Sequence, residues 1–186
     1  MKKLVIISGP SQVGKDAVVS ELLKKFDDLD LEKVITYTSR EKRPEEQEGV
    51  DHFFVTEERF KKMVEADSFL EWAPVRNKMF GTPKKAVDDI FQKGKIPLLK
   101  IDVRGAKKVS EKIGDVLMIF ILPENLDQLR ARMIKKGFSE EQTKIRWQET
   151  EDELKESKNY DFRVMNRRGK LNETVMAVAK IIKDNC

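Results

Sequence analysis

Cysteine is almost absent from this 186-residue chain: the single copy, Cys186, is the last residue. No internal disulfide can form, and a reducing cytoplasm is the expected setting. Long apolar runs are missing too, since none approaches the roughly 18 residues that a membrane span needs. Met1-Lys2-Lys3-Leu4 leads directly into a strand-like segment, with neither an apolar signal region nor a small-residue cleavage site. No membrane partner is expected. Nor is there a solid basic stripe: the formal net charge is +4, but 33 acidic residues are interspersed among 37 basic ones. That pattern argues against nucleic acid, and a basic pocket for small polyphosphates accounts for the surplus equally well. With no internal repeat and no low-complexity linker, the chain reads as one soluble domain carrying a smaller insertion.

Short apolar runs alternate with helical patterns. Strands are expected at Leu4–Ile7, Val34–Tyr37, Ile96–Ile101, Val116–Leu122 and Phe162–Met165. Runs that are apolar without alternation suit parallel strands buried on both faces. Helices are expected at Lys15–Phe26, Pro83–Gln92, Ala106–Lys112, Glu124–Lys136, Ser139–Lys158 and Leu171–Lys183. The order predicts an α/β fold, a doubly wound parallel sheet. Residues 38–82 break the rhythm with an Arg-rich loop, His52-Phe53-Phe54-Val55, a short helix from Glu57, and Phe69-Leu70-Glu71-Trp72. They read as a small α+β insertion able to move against a core formed by 1–37 and 83–186. Lys135–Lys158 is nearly all polar and opens with a capping-box candidate, Ser139-x-x-Gln142. A helix with so little apolar face is poorly buried, so about 130–150 reads as a lid or exposed arm.

Directly after Leu4-Val5-Ile6-Ile7 comes Gly9-Pro10-Ser11-Gln12-Val13-Gly14-Lys15, which fits the phosphate-loop spacing G-x-x-x-x-G-K. A glycine-rich turn between strand and helix aims backbone N–H groups and the helix N-terminus at an anion, and Lys15 adds a point charge for the β- and γ-phosphates. Asp16 and Ala17 then stand where a small hydroxyl residue is expected. A carboxylate in the first helical turn is favoured while the loop is empty. Beside a bound triphosphate it repels: two unit charges ~5 Å apart at an effective dielectric of ~20 cost roughly 3 kcal/mol. That cost is serious unless a cation intervenes, and Mg²⁺, which prefers oxygen ligands, makes Asp16 a candidate metal ligand.

From end to end the chain resembles the guanylate kinases, nucleoside monophosphate kinases that move a phosphoryl group from ATP to GMP. The resemblance rests on an ordered set of segments: "GPSQVGK" (9–15), "TSREKRPEEQEGVDHFF" (38–54), "FLEWAPV" (69–75), "FGTP" (80–83), "DVRGAKKV" (102–109) and "RVMN" (163–166). It implies an ATP-carrying core, a GMP-binding insertion and a closing lid. Gly9, Pro10, Ser11, Gln12, Val13, Gly14, Lys15, Asp16, Ala17 and Asn166 then fall to the ATP side, with Mg²⁺ as cofactor. On the GMP side fall Thr36, Arg40, Arg43, His52, Glu71, Phe80, Thr82 and Asp102. Arg40 and Arg43 match the arginines that hold the acceptor phosphate, a task suited to bidentate guanidinium geometry. Glu71 matches the glutamate that reads guanine N1 and N2 hydrogens, and Thr82 the hydroxyl residue near O6. Lys15, Arg40, Arg132 and Arg146 are the catalytic candidates, the last two as lid arginines closing over the transferring group. A monomer or a homodimer is expected.

The departures from the family pattern cluster near the chemistry. Gln12 replaces a loop glycine, His52 and Phe80 stand at positions commonly tyrosine, Lys136 replaces a lid arginine, and Arg167 follows Asn166 where aspartate is usual. Lys100 replaces an acidic residue two before Asp102. The gain of acid at Asp16 and of base at Lys100 suggests that the two face each other, as an ion pair or a relocated metal site; two unrelated changes are the alternative. A histidine beside a phosphate should titrate above roughly 6.5, so acceptor binding is expected to strengthen toward pH 6. Three readings stay open: an active guanylate kinase, a catalytically weak module binding a nucleotide or a protein, and a kinase with another acceptor. Glu71 and Thr82 argue against the third.

Overall fold

The computed structural model describes residues 3–135 and 137–186. The chain runs β1 (Leu4–Ser8), α1 (Lys15–Lys25), β2 (Leu31–Lys33), β3 (Thr36–Thr38), β4 (His52–Phe54), α2 (Glu57–Glu65), β5 (Phe69–Val75) and β6 (Lys78–Pro83). It continues through α3 (Lys84–Gln92), β7 (Ile96–Lys100), α4 (Val103–Lys112), β8 (Val116–Pro123), α5 (Leu126–Lys135), α6 (Glu140–Glu156), β9 (Phe162–Asn166) and α7 (Leu171–Asn185). Strands β2-β7-β1-β8-β9, in that order, form a wholly parallel sheet. Every residue of β1 is buried because the sheet is covered on both sides. Val5 and Ile7 pack with Val18, Leu22, Val178 and Ile182 of α1 and α7, while Leu4 and Ile6 pack with Val87, Ile90, Ala106 and Val109 of α3 and α4. The fold is the expected doubly wound α/β arrangement.

A second sheet, β4-β3-β6-β5, pairs β3 with β4 in parallel and sets β6 antiparallel to β3 and β5. Helix α2 covers it through Phe60, which stacks on Phe69 at 4.6 Å between ring centroids. The hairpin between β5 and β6 turns on Arg76 and Asn77, both left-handed (φ 49° and 61°), the pairing a two-residue hairpin turn requires.

One sequence expectation is corrected. Val34–Tyr37 is not a strand of the main sheet: that sheet takes Leu31–Lys33, and Thr36–Thr38 belongs to the second. Val34 is the buried crossing point, its N–H donating to the Leu98 carbonyl at 3.0 Å, so its apolar character reflects the junction rather than a strand. Helix α4 also starts earlier than Ala106, because the Asp102 side chain caps it by accepting from Gly105 N–H at 2.8 Å. The capping box of α6 forms with both halves at 3.2 Å. That helix buries only Thr143 and Thr150, as its polar sequence anticipates. Lys136 lies outside the described residues. Among those described, no helix is long and apolar enough to cross a membrane.

Candidate active site

The phosphate loop leaves the C-terminal end of β1 at the centre of the sheet, where strand ends converge on a crevice. Gly9 (φ 148°) and Gly14 (φ 99°) are needed there for space as well as torsion. A Cβ at Gly9 would lie 2.4 Å from the Ile121 carbonyl oxygen, and one at Gly14 would lie 2.6 Å from Asn166 Nδ2. Asn166, at the end of β9, donates to the Val13 carbonyl at 2.8 Å and accepts from Thr174, so it braces the loop from the neighbouring strand. Gln12, where the family pattern has glycine, keeps a left-handed backbone (φ 66°), so the loop retains its shape at some torsional cost. Lys15 Nζ donates to the Pro10 carbonyl at 2.8 Å and to that of Gly9. Burial lowers its pKa, and Glu153 and Asp16 work against the shift.

Beside the loop lies a cavity of about 240 Å³. Gly9, Ser11 and Lys15 line one side, and Thr36, His52, Glu71 and Phe80 of the second sheet line another. Lys100 and Asp102 lie at the end of β7, and Glu149 and Glu153 of α6 complete the wall. Glu71 is buried, not a solvent-facing edge residue. It accepts from Thr82 Oγ1 at 2.7 Å, and its other carboxylate oxygen sits where a Cβ at Gly105 would lie 3.2 Å away. Burial raises its pKa, partly offset by the Thr82 hydrogen bond.

His52 titrates below an ordinary histidine when no phosphate stands beside it. Its Nδ1 lies 2.7 Å from Thr36 Oγ1, and burial, then the positive fields of Lys100 and Arg40, push its pKa down to about 4. The ring is neutral near pH 7, and acceptor binding strengthens toward pH 6 only as far as a bound phosphate lifts that pKa. Between about 6.5 and about 4 the unfolded chain takes up a proton that the folded chain refuses, so stability falls as pH drops through that window. From pH 7 to 5 the melting midpoint of the ligand-free protein is expected to fall about 2–5 °C more than that of His52→Gln. Equal falls in a thermal-shift series contradict the neutral buried ring.

Arg40 and Arg43 do not line the cavity. Both gather on Glu46: Arg40 forks onto its two oxygens at 2.7 and 2.9 Å, and Arg43 stands at 3.9 Å with its backbone N–H donating at 2.9 Å. Arg132 and Arg146 both reach the phosphate loop. Arg132 donates to the Gln12 carbonyl at 3.3 Å and Arg146 to Ser11 Oγ at 3.4 Å. Arg146 also lies 3.7 Å above the Phe138 ring, and burial lowers its pKa to about 10, which leaves it charged. Phe80 meets His52 edge-on at 5.7 Å.

Sequence reasoning missed three acidic residues. Glu46 gathers Arg40 and Arg43. Glu149 takes Arg76 Nε at 2.9 and 3.2 Å, tying the β5–β6 turn to α6. Glu153 faces the field of Lys15 with its carboxyl raised to about 7 by burial. None has a local signal, since each sits in a charge-rich stretch.

Asp16 and Lys100 do meet, as a hydrogen-bonded ion pair. Partial desolvation opposes the Asp16 charge, but the Lys100 field and hydrogen bond outweigh it and, with Lys15 and Lys33, hold the carboxyl below its usual range. A divalent ion fits this corner poorly: Lys15, Lys33 and Lys100 all act on the Asp16 carboxylate, the groove beside it adds a single further carboxylate, Asp51, and no hydroxyl follows Lys15. Among the described residues, no group of three or more His, Cys, Asp or Glu side chains is arranged to hold a metal.

Comparison with known proteins gives one answer. The family model described as guanylate kinase matches residues 1–185. The chain is 40% identical over 184 residues to the guanylate kinase of Prochlorococcus marinus subsp. pastoris, covering 98% of each. It is 42% identical over 164 residues to that of Caldanaerobacter subterraneus subsp. tengcongensis, covering 88% of this chain and 79% of the relative. The crystal structure of guanylate kinase from Anaplasma phagocytophilum matches with a TM-score of 0.81 at 27% identity, over 98% of this chain and 85% of that one. The chain belongs to the guanylate kinase family.

Proposed function

We propose that the protein transfers the terminal phosphoryl group of ATP to GMP, giving ADP and GDP. The observation that carries this reading is a single cavity with the phosphate loop on one wall and the buried Glu71–Thr82 pair on another. An ionised Glu71 accepts from the N1 and N2 hydrogens of guanine, a donor pair that adenine lacks. Thr82 sits at the same base edge, near O6. The acceptor phosphate draws Arg40 and Arg43 from Glu46, exchanging one bidentate anion for another. The ATP phosphates lie on the loop amides and Lys15, with Asn166 bracing the loop from β9.

In the transfer, an oxygen of the GMP phosphate bonds to the γ-phosphorus as the bond to the β,γ-bridging oxygen breaks, and ADP leaves with that electron pair. Lys15, Arg132 and Arg146 stabilise the charge on the moving group, which is most of what phosphoryl transfer asks of a protein. The Arg76–Glu149 contact holds the insertion and α6 together over the cavity. Magnesium, expected with ATP, would supply further neutralisation of the phosphate charge, and no side chain of this protein is assigned to hold it.

The test is ADP release with ATP and each nucleoside monophosphate in turn. GMP should support turnover of about 1–100 s⁻¹, the usual kinase range, with AMP, CMP and UMP far slower. Calorimetric GMP binding without turnover contradicts the enzyme reading and favours a nucleotide-binding module.

A further inference from the structure

In phosphate-loop proteins the hydroxyl residue after the loop lysine and an acid on a neighbouring strand together hold the nucleotide's magnesium ion. This chain has replaced both in a charge-complementary way. Asp16 is the second residue of α1, and Lys100 is the last residue of β7, in register with Ile7 on the adjacent β1. The side chains, 84 positions apart in sequence, meet directly beside the loop. Lys100 is 20% exposed, whereas Asp16 is 84% exposed. The ammonium is therefore held in place while its counter-ion stands in water, and a pair that exposed is weak enough to exchange. Lys100 lines the main cavity with Lys15 and His52, and its charge is felt at both. Its other side borders a groove whose charged lining is Asp16, Asp51, Lys24 and Lys33.

We propose that Lys100 replaces the protein's share of the magnesium site, acting as the fixed cation that positions nucleotide phosphates, while Asp16 holds it when the loop is empty. The inference rests on the loop being a nucleotide phosphate site, as in the function proposed above, and concerns only what neutralises the phosphates there. When polyphosphate arrives, Lys100 exchanges a solvated carboxylate for phosphate oxygens, and Asp16 turns to water at the first turn of α1. A divalent ion seated on the protein at this point meets an ammonium group where other phosphate loops offer a carboxylate. Phosphate binding is then insensitive to magnesium, and the effects of the two side chains on it are coupled.

The experiment is calorimetric titration with ADP, in EDTA and in excess Mg²⁺, on the wild type and on Asp16→Ser, Lys100→Glu and the double variant, with melting curves to confirm folding. The wild type is expected to bind ADP within about twofold in the two buffers. Lys100→Glu should weaken binding at least tenfold in EDTA, and Lys100→Met, which adds no charge, should weaken it in the same direction. The double variant should regain affinity, and should do so at least tenfold better with Mg²⁺ than without. A wild-type Kd that tightens more than tenfold with Mg²⁺ overturns the proposal while leaving the kinase reading intact. Additive effects of the two single changes overturn the exchange. ADP that binds in neither buffer overturns this inference and the nucleotide reading together, whereas GMP-dependent turnover with strict Mg²⁺-dependent ADP binding overturns this inference alone.

Discussion

Glu71→Ala is expected to lower kcat/KM for GMP by about 10²–10⁴-fold while leaving the melting midpoint nearly unchanged. The carboxylate supplies two charge-assisted hydrogen bonds to one base edge, each worth roughly 1.5–3 kcal/mol. Its loss leaves both guanine donors facing a buried apolar gap. Stability is spared because removing the carboxylate also removes the cost of burying it, against the single hydrogen bond from Thr82 at 2.7 Å. The same residue sets a pH dependence. Burial raises its pKa above the ordinary glutamate value, and only the ionised form accepts from both donors. GMP affinity should therefore weaken as pH falls toward that raised value, and more steeply than in Glu71→Gln, where the GMP phosphate still titrates. GMP turnover that survives Glu71→Ala within a few-fold places the base elsewhere.

Lys15→Met acts on the other substrate. Removing one preorganised donor from a developing charge typically costs about 10²–10³-fold in kcat, and Lys15 contributes a full charge, so the upper figure is expected. GMP affinity measured without ATP should stay within about twofold, since Lys15 belongs to the loop and not to the second sheet. The ammonium donates to the carbonyls of Gly9 and Pro10, so methionine of similar length leaves the loop folded. A steady-state comparison separates the two variants. Lys15→Met loses kcat with KM for GMP preserved, whereas Glu71→Ala raises KM for GMP as well. Equal effects of Lys15→Met on both substrates contradict the division of the cavity into a phosphate wall and a base wall.

Much of this was legible in the sequence, for identifiable reasons. Leu4–Ile7 is apolar at every position because both faces of β1 are covered, and the glycine spacing that follows exists because Gly9 and Gly14 have no room for a Cβ. Ser139 and Gln142 announce α6 through a purely local pair of hydrogen bonds. Legibility failed where partners are distant or patterns are polar. Leu31-Glu32-Lys33 pairs with only one neighbour, at the edge of the sheet, and carries no apolar run, so the nearby Val34–Tyr37 took its place. Lys78–Pro83 carries no strand pattern of its own, since its Met, Phe and Gly acquire their meaning only from pairing with β5. The candidate site divides in the same way. The residues on the loop and on β5 and β6 come with motifs, whereas Glu46, Glu149 and Glu153 act through tertiary contacts with arginine or lysine. The His52 pKa is not legible in the sequence because titration follows surroundings: burial and the fields of Lys100 and Arg40 are tertiary effects. The Asp16–Lys100 contact was inferred from charge complementarity alone, a long-range signal that two simultaneous departures made visible.

The account depends most on group transfer between the two walls of the cavity. The direct measurement is incubation of the purified protein with ATP labelled at the γ-phosphate and unlabelled GMP, followed by separation of products. The account predicts label in GDP in one-to-one ratio with ADP formed. Label released as inorganic phosphate, or retained in ATP while GMP is bound, contradicts it.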